Sequence, residues 1–439
     1  MTQERDAFAL PAAQLELPFS ILDTDLYKLT MQNAVLQHFP DAHVVVKFTN
    51  RAPQMRFTRE CFDWIQARVN HLGTLRLTAE ERRRLAAACP YFPESYLDFL
   101  ANLTLHPAEQ VKLRFHPHDD GTGEISCHIE GLWRECILYE VPIMAIISEG
   151  YFKFVDVDWS AEGQFELAKA KALALLSPPA GVTPLVFSEF GTRRRRSFAV
   201  HDEVMRGLIA GAEEHAAAGG GGALSGTSNV FLALKYGVPP SGTIAHEWIM
   251  AIGATGGYAH ANARAMDMWT EVYPPSPAGP PLIMLTDTYT AAVFFADFVA
   301  DPERAAQWNA LRQDSGDPFE FVREAKVAWE EVHRLTRGQG GALEGKRVVF
   351  SDSLDVQRAI ELQRGCDEIG LAAAFGIGTH FTNDFRKASD PSMPSKALNM
   401  VIKLSVIDGR DCVKLSDDRG KHTGVPAEVE RAQRELGLI

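Results

Sequence analysis

The feature that most constrains the fold is an alternation of short apolar runs and amphipathic helices that begins near residue 140. The runs are VPIMAIISEG, TPLVFSEFG, GTIAHEW, PLIMLTDT, ALRQDSGD, RVVFSDS and AAAFGIGTH. Segments between them, such as FELAKAKALALL and EFVREAKVAWEEVHRL, have the apolar spacing of helices. Alternating strands and helices are typical of a parallel sheet or a β/α barrel, whose strands are apolar on both faces. We therefore predict an α/β fold with an irregular, TIM-like β/α barrel over residues 141–394.

The two ends of the chain have a different pattern. Residues 1–140 mix helices with strands such as HVVVKFTNR and VKLRFHP. Near the other end, NMVIKLSVIDG and CVKLSDDRGK are predicted to form a β-hairpin that turns at Asp408 and Gly409. We expect residues 1–140 and 395–439 to form one α+β domain beside the barrel.

Composition excludes several classes of protein. The chain of 439 residues has 44 Lys and Arg against 57 Asp and Glu, a net charge of −13, whereas nucleic-acid binding needs a basic surface. The six cysteines lack metal-ligand spacing, and the N-terminus lacks the apolar core of a signal peptide. The longest apolar stretch, residues 141–147, is far shorter than a membrane helix. We expect a cytoplasmic protein with neither a nucleic-acid nor a membrane partner.

Ionisable and small residues gather at the C-terminal end of the apolar runs. Examples are Glu189, His246, Asp287, Asp314 and Asp352. One polar strand end commonly marks a surface loop, but a whole series at the same end favours a shared site. In β/α barrels the carboxyl ends of the strands build the active site.

Two of these strand ends suggest anion and sugar binding. FGIGTHF follows a strand with Gly376, Gly378 and Thr379, whose backbone N–H groups can approach a phosphate closely, although glycine-rich turns are common. RQDSGD offers Arg312 for an anion and Asp314 for sugar hydroxyls, or alternatively a surface turn with an ion pair.

Two further segments suggest nucleophilic and basic chemistry. His246 follows one run and Asp287 the next, so the carboxylate could orient the imidazole and leave its other nitrogen nucleophilic. EFGTRRRRS has arginines at 193–196, which point in different directions, so we expect only one or two to face the site. The glycine-rich segment 216–226 and the proline-rich segment 273–281 are predicted loops or insertions without an assigned role.

The ordered set of motifs resembles the nicotinate phosphoribosyltransferase family over nearly the whole chain. The matching segments are LDTDLYKLTMQNAVL, FSEFGTRRRRS, LSGTSNVFLALKYG, GTIAHEW, LRQDSGDP, VVFSDSLD, FGIGTHFTND, NMVIKLSVIDG and VKLSD. The resemblance implies ATP-coupled condensation of nicotinate with 5-phosphoribosyl 1-pyrophosphate. The products would be nicotinate mononucleotide, ADP, phosphate and pyrophosphate, in the first step of NAD salvage from nicotinate (the Preiss–Handler pathway).

The resemblance also implies roles for individual residues. His246 matches the histidine that ATP phosphorylates, and Asp287 matches the acid that hydrogen-bonds it in the related nicotinamide enzymes. The positions that match nicotinate contacts are Tyr27, Phe190, Arg193, Ser228, Thr243 and Arg312. The positions that match phosphoribosyl pyrophosphate contacts are Asp314, Asp352, Gly376, Gly378 and Thr379.

The family pattern implies two further components. Mg²⁺ would bind through the pyrophosphate, with Asp314 or Asp352 as its candidate protein ligands. Tyr27 would come from the neighbouring subunit and would stack on the pyridine ring opposite Phe190, which implies a homodimer with shared active sites.

Ser228 favours the acid over the amide as substrate. The related nicotinamide enzymes have an aspartate at the matching position, where it would repel the carboxylate of nicotinate, whereas a serine would not. The alternatives are a nicotinamide phosphoribosyltransferase and a non-catalytic nucleotide sensor of the same fold. A quinolinate phosphoribosyltransferase should need no phosphorylatable histidine, so GTIAHEW argues against it.

Overall fold

Two sheets organise the chain, one parallel and one antiparallel. The computed structural model describes residues 7–242, 244–338, 341–418 and 422–439. The strands, in chain order, are β1 (His43–Asn50), β2 (Phe57–Thr58), β3 (Val111–Pro117), β4 (Thr122–Leu132), β5 (Val186–Glu189), β6 (Ala223–Thr227), β7 (Ile283–Leu285), β8 (Ala310–Gln313), β9 (Arg347–Phe350), β10 (Ala372–Ile377), β11 (Phe385–Arg386), β12 (Pro394–Ser395), β13 (Met400–Ile407) and β14 (Arg410–Asp411).

Helices cover both sheets and make most of the connections. They are α1 (Leu26–His38), α2 (Arg59–His71), α3 (Ala79–Ala88), α4 (Glu94–Asn102), α5 (Pro107–Gln110), α6 (Trp133–Cys136), α7 (Glu140–Phe154), α8 (Gln164–Leu176), α9 (Phe198–Ala217), α10 (Val230–Tyr236), α11 (His246–Gly256), α12 (Ala261–Val272), α13 (Ala291–Ala300), α14 (Pro302–Ala306), α15 (Pro318–Thr336), α16 (Val356–Ile369), α17 (Thr379–Thr382) and α18 (Pro426–Glu435). Short 3₁₀ turns lie at Ala7–Ala9, Ala12–Gln14, Leu72–Thr74 and Thr192–Arg194.

The parallel sheet confirms the predicted α/β class. Its strand order is β6-β5-β10-β9-β8-β7, and each neighbouring pair is parallel. The strands are short and mostly buried, because helices pack on both faces of the sheet. Within the described residues the strands form an open path, with no ladder from β7 back to β6, so a closed barrel is not observed.

Three apolar segments differ from the prediction. VPIMAIISEG is not a strand but lies in α7, which is buried on nearly all sides, and a short apolar run cannot distinguish such a helix from a strand by periodicity. GTIAHEW supplies no strand in its described part, since α11 begins at His246. Conversely, the end of the predicted glycine-rich loop 216–226 is a strand: ALSGT forms the edge strand β6.

The antiparallel sheet combines strands from both ends of the chain. Its order is β14-β13-β1-β4-β2, with β3 also paired to β4. The β1–β13 ladder joins Val44 to Ile407 and Lys47 to Lys403. The predicted hairpin turn is present, with left-handed φ values of 47° at Asp408 and 75° at Gly409, although β14 ends at Asp411.

The antiparallel sheet places β13 near the carboxyl ends of the parallel strands, and a cavity of about 510 Å³ lies between them. The six cysteines are free and buried. In the part of the chain that the structure describes, no helix combines the length and the apolar character that crossing a membrane would require.

We expect Ile407→Ala to lower the free energy of unfolding by about 2–5 kcal/mol, because it leaves a void at a fully buried position of the shared ladder. Chemical denaturation would measure this loss. Ser405→Ala, on the same strand but only half-buried, is the matched control and should change stability by less than about 0.5 kcal/mol. Equal effects of the two substitutions would contradict a core role for the ladder.

Candidate active site

A cavity of about 510 Å³ lies where the parallel strands end and β13 crosses them. It contains most of the residues that the sequence predicted for the site: Tyr27, Phe190, Arg193, His246, Arg312, Asp314, Asp352, Gly376, Gly378 and Thr379. Asp287 and Ser228 are buried and do not line the cavity, and Thr243 lies outside the described residues. The structure thus brings together residues that are separated by up to several hundred positions in the chain.

His246 begins α11, and both of its ring nitrogens have partners. Nδ1 lies 3.0 Å from Thr288 Oγ1, while Nε2 lies 2.9 Å from Lys414 Nζ and 3.2 Å from Asp314 Oδ2. An ammonium can only donate, so Nε2 accepts from Lys414 and Nδ1 carries the hydrogen that is donated to Thr288. This tautomer directs the basic lone pair of Nε2 toward the charged cluster.

The imidazole of His246 is neutral at physiological pH. Burial, followed by the positive charge of Lys414, lowers its pKa to about 4, and the nearby carboxylates Asp287 and Asp314 only partly offset these effects. A neutral imidazole retains the lone pair that a nucleophile requires.

Asp287 does not orient the imidazole directly, which corrects our expectation. Its Oδ1 is 3.8 Å from His246 Nε2, beyond hydrogen-bond range. Its Oδ2 instead accepts from Lys414 Nζ at 3.0 Å and from Ser315 Oγ at 2.6 Å. Asp287 therefore positions Lys414, and the neighbouring Thr288 is the residue that contacts Nδ1.

Arg312 and Asp314 form a fixed pair on the cavity wall. Arg312 Nη2 donates to Asp314 Oδ1 at 2.8 Å, and Ser351 Oγ donates to the same oxygen at 2.6 Å. Although burial would raise the pKa of Asp314, the positive charge of Arg312, with a smaller effect from Lys414, outweighs it and holds that pKa well below its ordinary value. Asp314 is therefore an anion at neutral pH.

The acidic cluster beside His246 does not suit Mg²⁺. His246, Asp287 and Asp314 offer potential ligand atoms within 4.8 Å of one another. However, Lys414 Nζ contacts both His246 and Asp287, and Arg312 pairs with Asp314, so both carboxylates already have a cationic partner. Mg²⁺ also prefers oxygen ligands to imidazole nitrogen.

The four successive arginines divide into two pairs. Arg193 and Arg194 line the cavity. Arg195 is buried and makes a bidentate pair with Asp23, at 2.7 and 2.6 Å, and Arg196 is buried against aromatic rings. The expectation that only one or two arginines face the site agrees with this arrangement.

Tyr27 lines the same cavity as Phe190 within one chain. Its hydroxyl donates to Glu140 Oε1 at 3.3 Å, and Arg193 Nη1 lies 3.4 Å from the same oxygen. Tyr27 and Phe190 of one chain thus share this cavity, and the supply of Tyr27 by a neighbouring subunit stays a prediction from the family pattern.

Gly376 and Gly378 are needed for packing as well as for any ligand. A Cβ atom at Gly376 would lie 2.5 Å from Phe190 Cε2, and one at Gly378 would lie 2.7 Å from the Phe190 carbonyl oxygen. Both glycines thus let the Phe190 backbone and ring approach β10 closely.

Ser228 does not line the cavity but is linked to Arg193 through Asp25. Its hydroxyl donates to Asp25 Oδ1 at 2.8 Å, and Asp25 Oδ2 lies 3.8 Å from Arg193 Nε. Burial raises the pKa of Asp25. A carboxyl group is therefore close to Arg193 even without an aspartate at position 228, which weakens the sequence argument from Ser228.

Sequence reasoning missed several charged residues of the wall, namely Arg51, Glu140, Lys403 and Lys414. Burial, together with the charges of Lys414 and Arg51, lowers the pKa of Lys403 to about 8. Lysines in the otherwise apolar strand segments VIKLSV and VKLSD were the available signal. Among the described residues, the cavity wall has six Lys and Arg against five Asp and Glu, a slight positive excess in a chain whose net charge is −13.

We expect His246 to remain neutral in a pH titration until about pH 4. An unfolded histidine binds its proton near pH 6.5, so the stability from this group is complete above pH 6.5 and is lost as the pH falls toward 4. Nitrogen chemical shifts of the ring would measure the pKa. Lys414→Met should raise it, whereas Lys346→Met, away from the cavity, should not. A midpoint near 6.5 in the unmodified protein would contradict the assigned environment.

The comparisons with known proteins agree with this geometry. Residues 185–438 match the nicotinate phosphoribosyltransferase (NAPRTase) family, and residues 22–148 match the N-terminal domain of that family. A nicotinate phosphoribosyltransferase of Saccharomyces cerevisiae is 40% identical over 423 residues, 95% of each chain. The one from Methanosarcina mazei is 39% identical over 421 residues, 92% of this chain and 95% of its own.

Solved structures show the same likeness. The crystal structure of nicotinate phosphoribosyltransferase from Porphyromonas gingivalis aligns with a TM-score of 0.82 at 37% identity, covering 95% of this chain and 99% of that one. The one from Vibrio cholerae aligns with a TM-score of 0.84 at 28% identity, covering 95% and 93%. The chain belongs to the nicotinate phosphoribosyltransferase family.

Proposed function

We propose that this chain catalyses the ATP-coupled condensation of nicotinate with 5-phosphoribosyl 1-pyrophosphate to nicotinate mononucleotide, the first step of NAD salvage from nicotinate. One observation carries the proposal. The neutral imidazole of His246 lies in the same cavity as Tyr27, Phe190 and Arg193, so a phosphoryl acceptor and an aromatic, cationic base site share one space.

His246 is the proposed phosphoryl acceptor. Once Lys414 turns its hydrogen bond from Nε2 to the incoming phosphoryl oxygens, the freed lone pair of Nε2 attacks the γ-phosphorus of ATP. A P–N bond forms, and the bond to the bridging oxygen breaks with its electron pair leaving on ADP. Lys414, 2.9 Å from Nε2, would offset the negative charge of the new phosphoryl group, and Asp287 holds that lysine in place. Water later cleaves the P–N bond and releases phosphate.

The base site would recognise a flat anion. Tyr27 and Phe190 offer aromatic surfaces for the pyridine ring, and Arg193 offers a guanidinium for the carboxylate. Arg312 lines the same wall, and Thr243 and Ser228 remain proposals from the family pattern. The ring nitrogen attacks C1 of the ribose as the bond to pyrophosphate breaks, so positioning and charge stabilisation dominate catalysis.

The remaining wall would bind phosphoribosyl pyrophosphate. The proposed contacts are Asp314, Asp352, Gly376, Gly378 and Thr379. Asp352 is exposed at the cavity wall and is the carboxylate we propose for Mg²⁺. When bound, the ion would neutralise the leaving pyrophosphate. Arg194 and Lys403 would add positive charge near the same anion.

We also infer that the parallel sheet curves into an irregular barrel. A second cavity of about 400 Å³ is lined by residues of all six parallel strands of the described chain: Ser188, Ser225, Ile283, Ala310, Val349 and Ala374. A flat sheet would not surround one cavity in this way. Residues 141–394 remain the proposed barrel domain and residues 1–140 with 395–439 the proposed flanking domain, which the β1–β13 ladder supports.

Two further proposals concern the setting of the enzyme. A homodimer now rests on the family resemblance alone, because Tyr27 reaches the cavity of its own chain. A cytoplasmic location is supported by the six free, buried cysteines, since reduced thiols persist in that compartment.

Purified protein supplied with phosphoribosyl pyrophosphate, Mg²⁺ and ATP should convert nicotinate, and nicotinamide much more slowly, while forming ADP. His246→Asn should abolish histidine phosphorylation and ATP hydrolysis and leave only slow, uncoupled transfer, with kcat reduced roughly 100-fold or more. His260→Asn is the control, since that exposed histidine pairs with Asp297 away from the cavity. Retained ATP coupling in His246→Asn would refute the assignment. Faster turnover of nicotinamide than of nicotinate would favour a nicotinamide phosphoribosyltransferase. No turnover of either substrate would favour a non-catalytic nucleotide sensor.

Arg193→Gln should raise the KM for nicotinate roughly tenfold or more and leave the KM for ATP nearly unchanged, because it removes the proposed carboxylate contact. Steady-state kinetics would measure both constants. Arg206→Gln, on the exposed face of α9, should change neither. An unchanged KM for nicotinate would place the carboxylate elsewhere.

A further inference from the structure

Lys28 is a buried cation that the proposed mechanism does not use. It follows Tyr27 on α1, and its side chain is only 1% exposed. Its Nζ lies 2.5 Å from Glu140 Oε2 and 2.5 Å from Glu247 Oε2. A buried ammonium between two carboxylates is costly to desolvate, so we looked for what this arrangement does to the site.

Glu140 is shared between Lys28 and the base site. Its Oε2 faces Lys28, while its Oε1 accepts from the Tyr27 hydroxyl and lies 3.4 Å from Arg193 Nη1. Burial alone would raise the pKa of Glu140, but the charges of Lys28 and Arg193 outweigh it and hold the pKa below its ordinary value. The cavity wall thus carries a permanent negative charge directly beside Arg193.

The distances show which cation neutralises Glu140. The contact with Lys28 is short and buried, whereas Arg193 is 41% exposed and lies 3.4 Å from Glu140 and 3.8 Å from Asp25. Lys28, which Glu140 shares with Glu247, therefore offsets part of the charge of Glu140, so that Glu140 lowers the positive potential of Arg193 toward the cavity less than it would alone.

We propose that Lys28 is a positioning residue that sets the preference for an anionic over an uncharged pyridine substrate, acting through Glu140 and Arg193. Without its charge, Glu140 would neutralise Arg193 and repel the carboxylate of nicotinate. An uncharged carboxamide would be affected far less. The inference rests on the proposed function, in which Arg193 receives the substrate carboxylate.

Glu247 gives Lys28 a second link, to the histidine side of the cavity. Glu247 directly follows His246 in α11, and its Oε1 accepts from Trp133 Nε1 at 2.6 Å. Both carboxylates contact the same nitrogen, so removal of Lys28 would leave two like charges close together. Loss of stability is therefore expected for Lys28→Met, and the test must separate it from the effect on specificity.

The direction of the change in substrate preference separates an effect on specificity from a loss of stability. For the full chain with saturating ATP and phosphoribosyl pyrophosphate, we would compare kcat/KM for nicotinate with that for nicotinamide. Lys28→Met should lower this ratio roughly tenfold or more, mainly through the KM for nicotinate. Glu140→Gln removes the opposing charge and should raise the ratio. Where nicotinamide turns over too slowly, its inhibition constant against nicotinate supplies the comparison.

Two further variants test the charge balance. Lys28→Arg should keep the ratio near that of the unmodified protein, and the double variant Lys28→Met/Glu140→Gln should restore it toward that value. Lys235→Met is the matched control: this lysine is also largely buried and pairs with Asp202 at 2.5 Å, but it does not line the cavity. It should lower stability without moving the ratio.

Each outcome decides one question. If the unmodified protein turns over neither pyridine, the proposed function fails. If it prefers nicotinate but Lys28→Met and Glu140→Gln move the ratio in the same direction, or leave it unchanged, the inference about Lys28 fails. If Lys28→Met does not fold, as judged by circular dichroism, Glu140→Gln decides alone, and a lower ratio in that variant would overturn the inference.

Discussion

The pairing of β1 with β13 is the interaction on which the rest of the site depends. It joins strands that are about 350 residues apart and holds the C-terminal strands against the carboxyl ends of the parallel sheet. Lys403 lies on β13, and Lys414 follows it a few residues later, so both ammonium groups reach the wall from outside the β/α region. The parallel strands and their connecting helices alone would supply His246 and Asp314 but not Lys414, which accompanies them.

Charge inside the cavity is organised in chains of opposite sign. These chains lie partly in the cavity wall and partly behind it. Asp287, Lys414, the neutral His246 and Asp314 form one chain, and Glu247, Lys28, Glu140 and Arg193 form another. Buried pairs of this kind contribute little net stability, because desolvation offsets much of the Coulomb attraction. Their value here is electrostatic preorganisation, since a cavity that must hold several anions needs cations whose positions do not depend on the ligand.

The parts of the fold and site that were predictable from sequence have local causes. The Asp408–Gly409 turn, the long amphipathic helices and the polar ends of the parallel strands follow from backbone preference and residue period. The sequence prediction is wrong where the spacing of apolar residues carries no information. The helix α7 is buried on nearly all sides, so its sequence looks like that of a buried strand. The strand β6 follows a run of glycines, which is typical of a loop. Gly376 lines the cavity, and the close approach of the Phe190 ring accounts for its lack of a side chain.

The sequence by itself determined the α/β class, the family and the residues that would meet at the strand ends, because these depend on short segments that keep their order and spacing. Only the tertiary structure decided that Thr288 rather than Asp287 contacts Nδ1 of His246, that Arg193 and Arg194 face the cavity while Arg195 and Arg196 are buried, and that Lys28 joins two carboxylates. Such contacts link residues far apart in the chain. The direction and distance of a side chain are set only when helices and sheets pack. They decide with which of several chemically suitable partners that side chain forms a hydrogen bond or an ion pair.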